Sequence, residues 1–278
     1  MKSLRLYLFF TLFLCGSIAF SQSGEDIRQI QSQEWQKDEI DGKIKLRRFQ
    51  GQLFDSPQNI VMLTFSLKDY DLAIVQPHER IPTSKQAQQY EASAAINGSF
   101  FNMKTGEATT FLRLNASSIC DTTFLDASRI NGIIAINEKH TCLCSIDSIQ
   151  SENFLDTYPN ILAAGPLLVL DGELELNNDK GSFATARHPR SCIGLSGDSI
   201  SFIVVDGRHP EKASGMSIKE LQFLAFHLGL NDALNLDGGG SSTLWTAKHG
   251  VISCPSDNKL FDHEGERAVS NVLLILEK

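Results

Sequence analysis

The chain has 278 residues, a formal net charge of −8 at pH 7 and 42% hydrophobic residues. That is enough chain to bury a full core as one α/β or strand-rich unit without covalent staples. The acidic balance argues against a nucleic-acid groove and leaves room only for a local basic patch that would hold a single phosphate.

Taken in chain order, Met1-Lys2-Ser3-Leu4-Arg5 is basic and runs into an apolar stretch over 6–14, followed by Ala19-Phe20-Ser21. This is the layout of a signal peptide spanning 1–21 and cleaved before Gln22, and the stretch is too short for a membrane span. Leu14, where a small residue would precede a lipidated Cys15, argues against a lipoprotein. The mature start is polar, and poor order is expected up to about Gln33. Residues 22–93 are expected to form a strand-rich segment packed on a main domain of 94–278. The apolar runs 60–67 and 72–75 flank Lys68-Asp69-Tyr70-Asp71, which predicts a hairpin. A short helix is predicted over 83–92, capped by Thr83 or Ser84, and Ala94-Ala95-Ile96 reads as a small buried strand. Further hairpins are predicted for 133–136 with 141–146, for 167–170 with 173–176 across Asp171-Gly172, and for 191–195 with 199–205. Ser217-Ile218-Lys219-Glu220 has the capping-box form, with an apolar stripe of Ile218, Leu221, Leu224, Ala225 and Leu228 behind it and Gly229 as the stop. A strand over 233–236 and a closing strand over 269–276 complete an α+β reading: a mixed, strand-rich sheet with a few packed helices in a single catalytic-type domain. Five cysteines remain beyond the signal, an odd number, so buried free thiols with at most one disulfide are expected.

Four polar constellations follow apolar strands, where a rigid scaffold can present reactive groups. Asn97-Gly98-Ser99-Phe100-Phe101-Asn102 combines turn residues with two aromatics, one of which could wall a sugar ring. Arg187-His188-Pro189-Arg190-Ser191 is cationic and donor-rich, and the planar guanidinium of arginine matches two phosphate oxygens. Val205-Asp206-Gly207-Arg208 ends a buried run on a carboxylate, suited to catalysis or to a turn that pairs Asp206 with Arg208. Asn235-Leu236-Asp237-Gly238-Gly239-Gly240-Ser241-Ser242-Thr243 places a carboxylate before three glycines whose amides could form an anion nest. No lysine follows those glycines as in a P-loop, and the Gly-x-Ser-x-Gly frame of a serine hydrolase is absent.

These motifs occur in an order that resembles the phosphodiester glycosidase family. The matching stretches are Asn97-Gly98-Ser99-Phe100-Phe101, Ala164-Gly165-Pro166-Leu167-Leu168, Arg190-Ser191-Cys192-Ile193-Gly194, Val205-Asp206-Gly207-Arg208, Gly215-Met216-Ser217, the Asp237-Gly238-Gly239-Gly240-Ser241-Ser242 loop and Arg267-Ala268-Val269-Ser270-Asn271. Ser99 stands where that family more often has glycine, and Ser191 where it commonly has threonine. The resemblance implies an exported hydrolase, periplasmic or extracellular in a bacterial envelope, that breaks the C–O bond of a sugar-1-phosphate diester. It implies Asp237 and Asp206 as the catalytic carboxylates, and Arg190, Arg208 and the amides of Gly238, Gly239 and Gly240 as the phosphate cradle. Asn97, Phe100, Phe101, Asn102, Ser241, Ser242, His188, Arg267 and Asn271 complete the expected substrate-binding set. No cofactor is required by the sequence, although Asp206 and Asp237 are oxygen donors suited to calcium or magnesium. The expected partner is a small-molecule or glycan phosphodiester, with no nucleic acid and no transmembrane anchor in the mature chain. Two rivals stand beside this reading: a metal-dependent phosphodiesterase that breaks P–O, and a non-catalytic module that binds sugar phosphates.

Overall fold

The computed structural model describes residues 24–32, 35–40, 42–121 and 129–278; the expected signal peptide lies outside them. Strands dominate, and they form three principal sheets. The largest has eight strands in the order Gln36–Ile40, Ile44–Leu53, Ser56–Ser66, Ser199–Val205, Arg190–Ser196, Asp232–Asn235, Leu167–Leu170 and Glu173–Leu174. A second sheet orders Thr141–Ser145, Gly132–Ile136, Asn160–Ala164, Leu112–Leu114 and Ser117–Cys120. The third orders Gly250–Val251, Leu244–Thr246, Ala94–Asn97, Val272–Glu277 and Tyr70–Val75.

Alternation along the strands explains the layering. In the strand Ser56–Ser66, Val61, Leu63 and Phe65 point into a core shared with the two smaller sheets, where they meet Leu72, Ile96, Ile134, Leu162 and Leu273. Ile60 and Met62, one residue out of phase, enter a separate core on the opposite face. A strand buried on both faces reads as a continuous apolar run, and that is what 60–63 is. The opposite face is covered by the helix Ile218–His227, which contributes Ile218, Leu221, Leu224 and Ala225. Its capping box is present as expected: Ser217 Oγ accepts from Glu220 N, and the Glu220 carboxylate accepts from Ser217 N at 2.8 Å. Gly229 follows with φ of +80°, a conformation that favours glycine.

The α+β class holds, but the expected mixture of strand directions does not: every described strand pairing is antiparallel. The three later hairpins form as read. The first does not. The strand Ser56–Ser66 already has Ile44–Leu53 on one side and Ser199–Val205 on the other, so Tyr70–Val75 leaves for the third sheet and pairs with Val272–Glu277. The short helix is Thr83–Gln89, and its N-cap is Pro82 with no side-chain cap, so neither Thr83 nor Ser84 caps it; Ser84 instead donates to Glu266. The polar start is also more ordered than its composition suggests. Gly24–Gln31 is helical, because Ile30 is buried beside Trp35 and Phe49, and buried Asp26 accepts the Phe54 amide at 2.8 Å. Cys142, Cys144, Cys192 and Cys254 are free thiols, so the one disulfide that the sequence left room for is not formed among them.

Candidate active site

The strands Ala94–Asn97 and Asp232–Asn235 belong to different sheets, yet their ends meet. Asn97 joins them. This fully buried side chain donates through Nδ2 to the Asp237 carbonyl at 2.7 Å, and its Oδ1 accepts from Ser191 Oγ at 2.6 Å and from Thr243 N at 3.1 Å. Asp237 N in turn donates to the Gly98 carbonyl at 3.0 Å. Asn271, just before the last strand, clamps the same turn: its Oδ1 accepts from Ser99 N at 2.7 Å, and its backbone carbonyl accepts from Gly98 N. A Cβ on Gly98 would lie 2.1 Å from Asn271 Oδ1, so only glycine permits this approach. Asn97, Asn271 and Ser99 therefore build the site from beneath.

Asp237 sits on this platform and keeps partial access to solvent. Its Oδ2 accepts from buried Ser241 Oγ at 2.6 Å and its Oδ1 from Gly238 N at 2.9 Å. Burial pushes its carboxyl up to about 6, while the Ser241 hydroxyl, the charge of Arg267 and the Gly238 amide pull in the other direction. A carboxylate tuned to that range is mostly ionised at neutral pH and still basic enough to accept a proton.

The glycine loop carries the second half of the site by a route different from the expected one. Gly238 N is used by the Asp237 carboxylate and Gly239 N donates to the Pro189 carbonyl at 2.9 Å, so two of the three amides are already spent. What the glycines provide is room. A Cβ on Gly239 would meet Arg208 Nη2 at 2.8 Å; one on Gly240 would lie 1.8 Å from Asp257 Oδ1 and 2.2 Å from Arg267 Nη2. Arg208 and Arg267 thus come directly against the loop that bears Asp237. Arg267 grips Asp257 with two hydrogen bonds of 2.8 Å. Arg208 lies 4.0 Å from the same carboxylate and donates to Ser256 Oγ at 3.2 Å. Two guanidinium groups share one carboxylate here, which leaves a net positive edge beside Asp237. His188 is held below its ordinary pKa by burial and then by the nearby charges of Arg190 and Arg208.

Other expected residues take structural places. Arg190 is 1% exposed; its Nε donates to the Met216 carbonyl at 2.8 Å and its Nη2 to those of Phe183 and Ala186, while its guanidinium lies over the Phe183 ring. Burial pushes its pKa down to about 10, so it stays charged at neutral pH, but its donors brace the loop before it. Asp206 is fully buried, not paired with Arg208, and accepts from Asn59 Nδ2 at 2.6 Å and Cys254 N at 2.8 Å. Burial raises its carboxyl to about 6 as well. It pins the 253–257 segment, including Asp257, to the large sheet. Phe101 is buried against Ala95 and Val272, and Asn102 caps its own turn by accepting from Lys104 N at 2.8 Å. Phe100 is half-buried and meets the Phe183 ring edge-on at 6.1 Å. Ser242 is buried, and its hydroxyl has no hydrogen-bond partner. No group of three or more His, Cys, Asp or Glu side chains suited to a metal occurs among the described residues. Asp257 and Ser256 escape sequence reasoning, because Pro255-Ser256-Asp257-Asn258 looks like any polar turn.

The profile of the phosphodiester glycosidase family matches residues 90–276. The chain belongs to this family. The matched span contains Asp237, Arg208, Asp257 and Arg267, while Asn59, which holds Asp206, lies before it. Among solved structures, the catalytic domain of zebrafish N-acetylglucosamine-1-phosphodiester alpha-N-acetylglucosaminidase, auto-inhibited by its pro-peptide, shares the fold at a TM-score of 0.66 and 18% identity. The alignment covers 89% of this chain and 85% of that one. A hypothetical protein from Synechocystis aligns with a TM-score of 0.65 and 14% identity over 89% of this chain, which spans 64% of its length. A Burkholderia pseudomallei protein named as a candidate for export aligns with a TM-score of 0.60 and 14% identity, covering 80% of this chain and 74% of that one. No curated protein sequence matches the chain. As a phosphodiester glycosidase family member it has no described helix long and apolar enough to cross a membrane.

Proposed function

We propose that the chain is an exported hydrolase that cleaves the glycosidic C–O bond of a sugar-1-phosphate diester, with an N-acetylglucosamine-like sugar as the first candidate. The observation that carries this reading is the placement of Asp237: a partly open carboxylate raised towards neutrality, on the loop against which Arg208 and the Arg267–Asp257 pair are packed. Arg208 and Arg267 face the phosphate, and Asp237 activates water. The water oxygen bonds to the anomeric carbon while its proton passes to the Asp237 carboxylate. The C–O electron pair leaves with the phosphate oxygen, giving free sugar and a phosphate monoester. A phosphate is a far better leaving group than an alcohol, so electrostatic stabilisation by the two arginines takes the place of a strong general acid. Phe100, half-buried beside the platform, is the aromatic left to wall the sugar. Arg190, Asp206, Asn97 and Asn271 act through the loops they hold.

The test is turnover of an N-acetylglucosamine-1-phosphate methyl diester in oxygen-18 water by the purified protein, with Asp237→Asn in parallel. Label in the released sugar supports C–O cleavage. Label in the phosphate would replace it with P–O phosphodiesterase chemistry, and binding without turnover across several sugar diesters would make the chain a binding module.

A further inference from the structure

Beside the arginine pair lies a pocket of about 200 Å³ lined by Gly207, Arg208, His209, Ser256, Asp257 and Lys259, with Leu260 at its edge. Arg208 is common to this pocket and to the glycine loop, since its Nη2 is the atom a Cβ on Gly239 would strike. An occupant of the pocket would therefore share Arg208 with whatever binds at the loop that bears Asp237. The charges are lopsided. Asp257 is the one carboxylate in the pocket wall, and Arg267 (two hydrogen bonds) and Arg208 (4.0 Å) already share it, so with Lys259 three cations stand against one anion. His209 adds a polar atom with nothing to bind: its Nδ1 is buried and has no hydrogen-bond partner, while the ring rests on Phe261 at 5.3 Å between centroids. Ser256 Oγ, which accepts from Arg208 Nη1, completes a set of donors. In a chain of net charge −8, a small cavity where cations outnumber carboxylates and a buried imidazole nitrogen has no partner is built for an oxyanion.

We propose that this pocket is an aglycone subsite that selects diesters whose leaving group carries a second oxyanion, so that the preferred substrate class is a sugar-1-phosphate esterified to an anionic alcohol. The proposal rests on the assignment of the diester phosphate to Arg208 and Arg267 made above. Arg208 lies between the two anions and touches both, Lys259 closes on the outer one, and His209 Nδ1 gains its missing partner.

The test compares methyl and phosphoglycerol diesters of N-acetylglucosamine-1-phosphate, in the wild type and in Lys259→Gln and Lys259→Arg. The wild type is expected to favour the phosphoglycerol diester in kcat/KM on the order of tenfold, the worth of one charge-assisted hydrogen bond, mainly through KM. Lys259→Gln should bring the two substrates level without changing turnover of the methyl diester, and Lys259→Arg should restore the preference. Equal use of both diesters by the wild type, or a preference that survives Lys259→Gln, overturns the subsite while leaving the glycosidase reading intact. If neither diester is cleaved, the glycosidase reading fails, and calorimetric titration with glycerol-3-phosphate decides the pocket alone. Binding that weakens in Lys259→Gln and returns in Lys259→Arg keeps it, and no binding removes it.

Discussion

Gly240→Ala puts the reading of the glycine loop under direct strain. A methyl group there would sit 1.8 Å from Asp257 Oδ1 and 2.2 Å from Arg267 Nη2, well inside the roughly 3.4 Å that carbon needs from its neighbours. The obstacles are the ends of two long side chains, 34% and 23% exposed, so the protein can relieve the clash by swinging the ion pair outward. The stability cost is then the loss of a partly exposed pair plus minor crowding, about 1–2 kcal/mol, or a fall in Tm of about 2–6 °C for a domain of this size. The functional cost is larger, because Arg267 moves by more than 1 Å relative to Asp237, and a displacement of that order can reduce turnover about a hundredfold. The assay pairs thermal unfolding with diester hydrolysis on the same preparation. A variant that keeps wild-type kcat and KM would refute the claim that these glycines serve the arginines. A variant that unfolds would show that the pair is a core element instead of a mobile site edge.

Further predictions separate the residues that act from those that support. Asp237→Asn should fold and lose turnover by at least about a hundredfold. In the wild type, kcat/KM should climb as pH rises through about 6, where Asp237 ionises, and a rate that falls over that interval would recast it as an acid. Arg190→Met should orphan the Met216, Phe183 and Ala186 carbonyls and cost about 3 kcal/mol or more in chemical denaturation, whereas Arg208→Ala should cost under about 1 kcal/mol but weaken substrate binding. The Asp206 carboxyl has a folded pKa of about 6, above the unfolded value of about 3.9. Its buried charge is therefore relieved by protonation as pH falls from 7 towards 4, and the wild type should gain on the order of 1–2 kcal/mol relative to Asp206→Asn over that interval. A constant difference between the two denaturation curves would contradict this. Turnover is expected to persist in EDTA, measured on protein without added calcium or magnesium.

Elements whose signal is local were legible in the sequence. The capping box at Ser217 and Glu220, the Asp171-Gly172 turn and the apolar run before Asp237 each depend on neighbours within a few residues, and each stands where the pattern put it. The first hairpin failed because its pattern gives strand, turn and strand but not partners; sheet membership is settled by Ile44–Leu53 and Ser199–Val205, which are distant in sequence. The motif stretches found the site's neighbourhood for the same local reason, yet they could not divide lining from support. Arg190 and Arg208 are both arginines next to a strand end, and only the fold gives one of them three carbonyls and leaves the other against the glycine loop. Asp257 was invisible because its role comes from Arg267 and Gly240, not from the residues beside it.

The hydrogen bond from Asn59 to Asp206 has a practical consequence for anyone shortening the protein. The family match begins at residue 90, which invites truncation there. Such a fragment would lose the strand Ser56–Ser66 and leave Ser199–Val205 with one whole row of backbone donors and acceptors bare along an apolar edge, the kind of edge that recruits other chains. It would also strip one of the two donors from the buried Asp206 carboxylate, whose other oxygen holds the segment that carries Asp257. The smallest unit that keeps Asp206 and the Asp257 segment in place is thus set by residues that lie before the matched span.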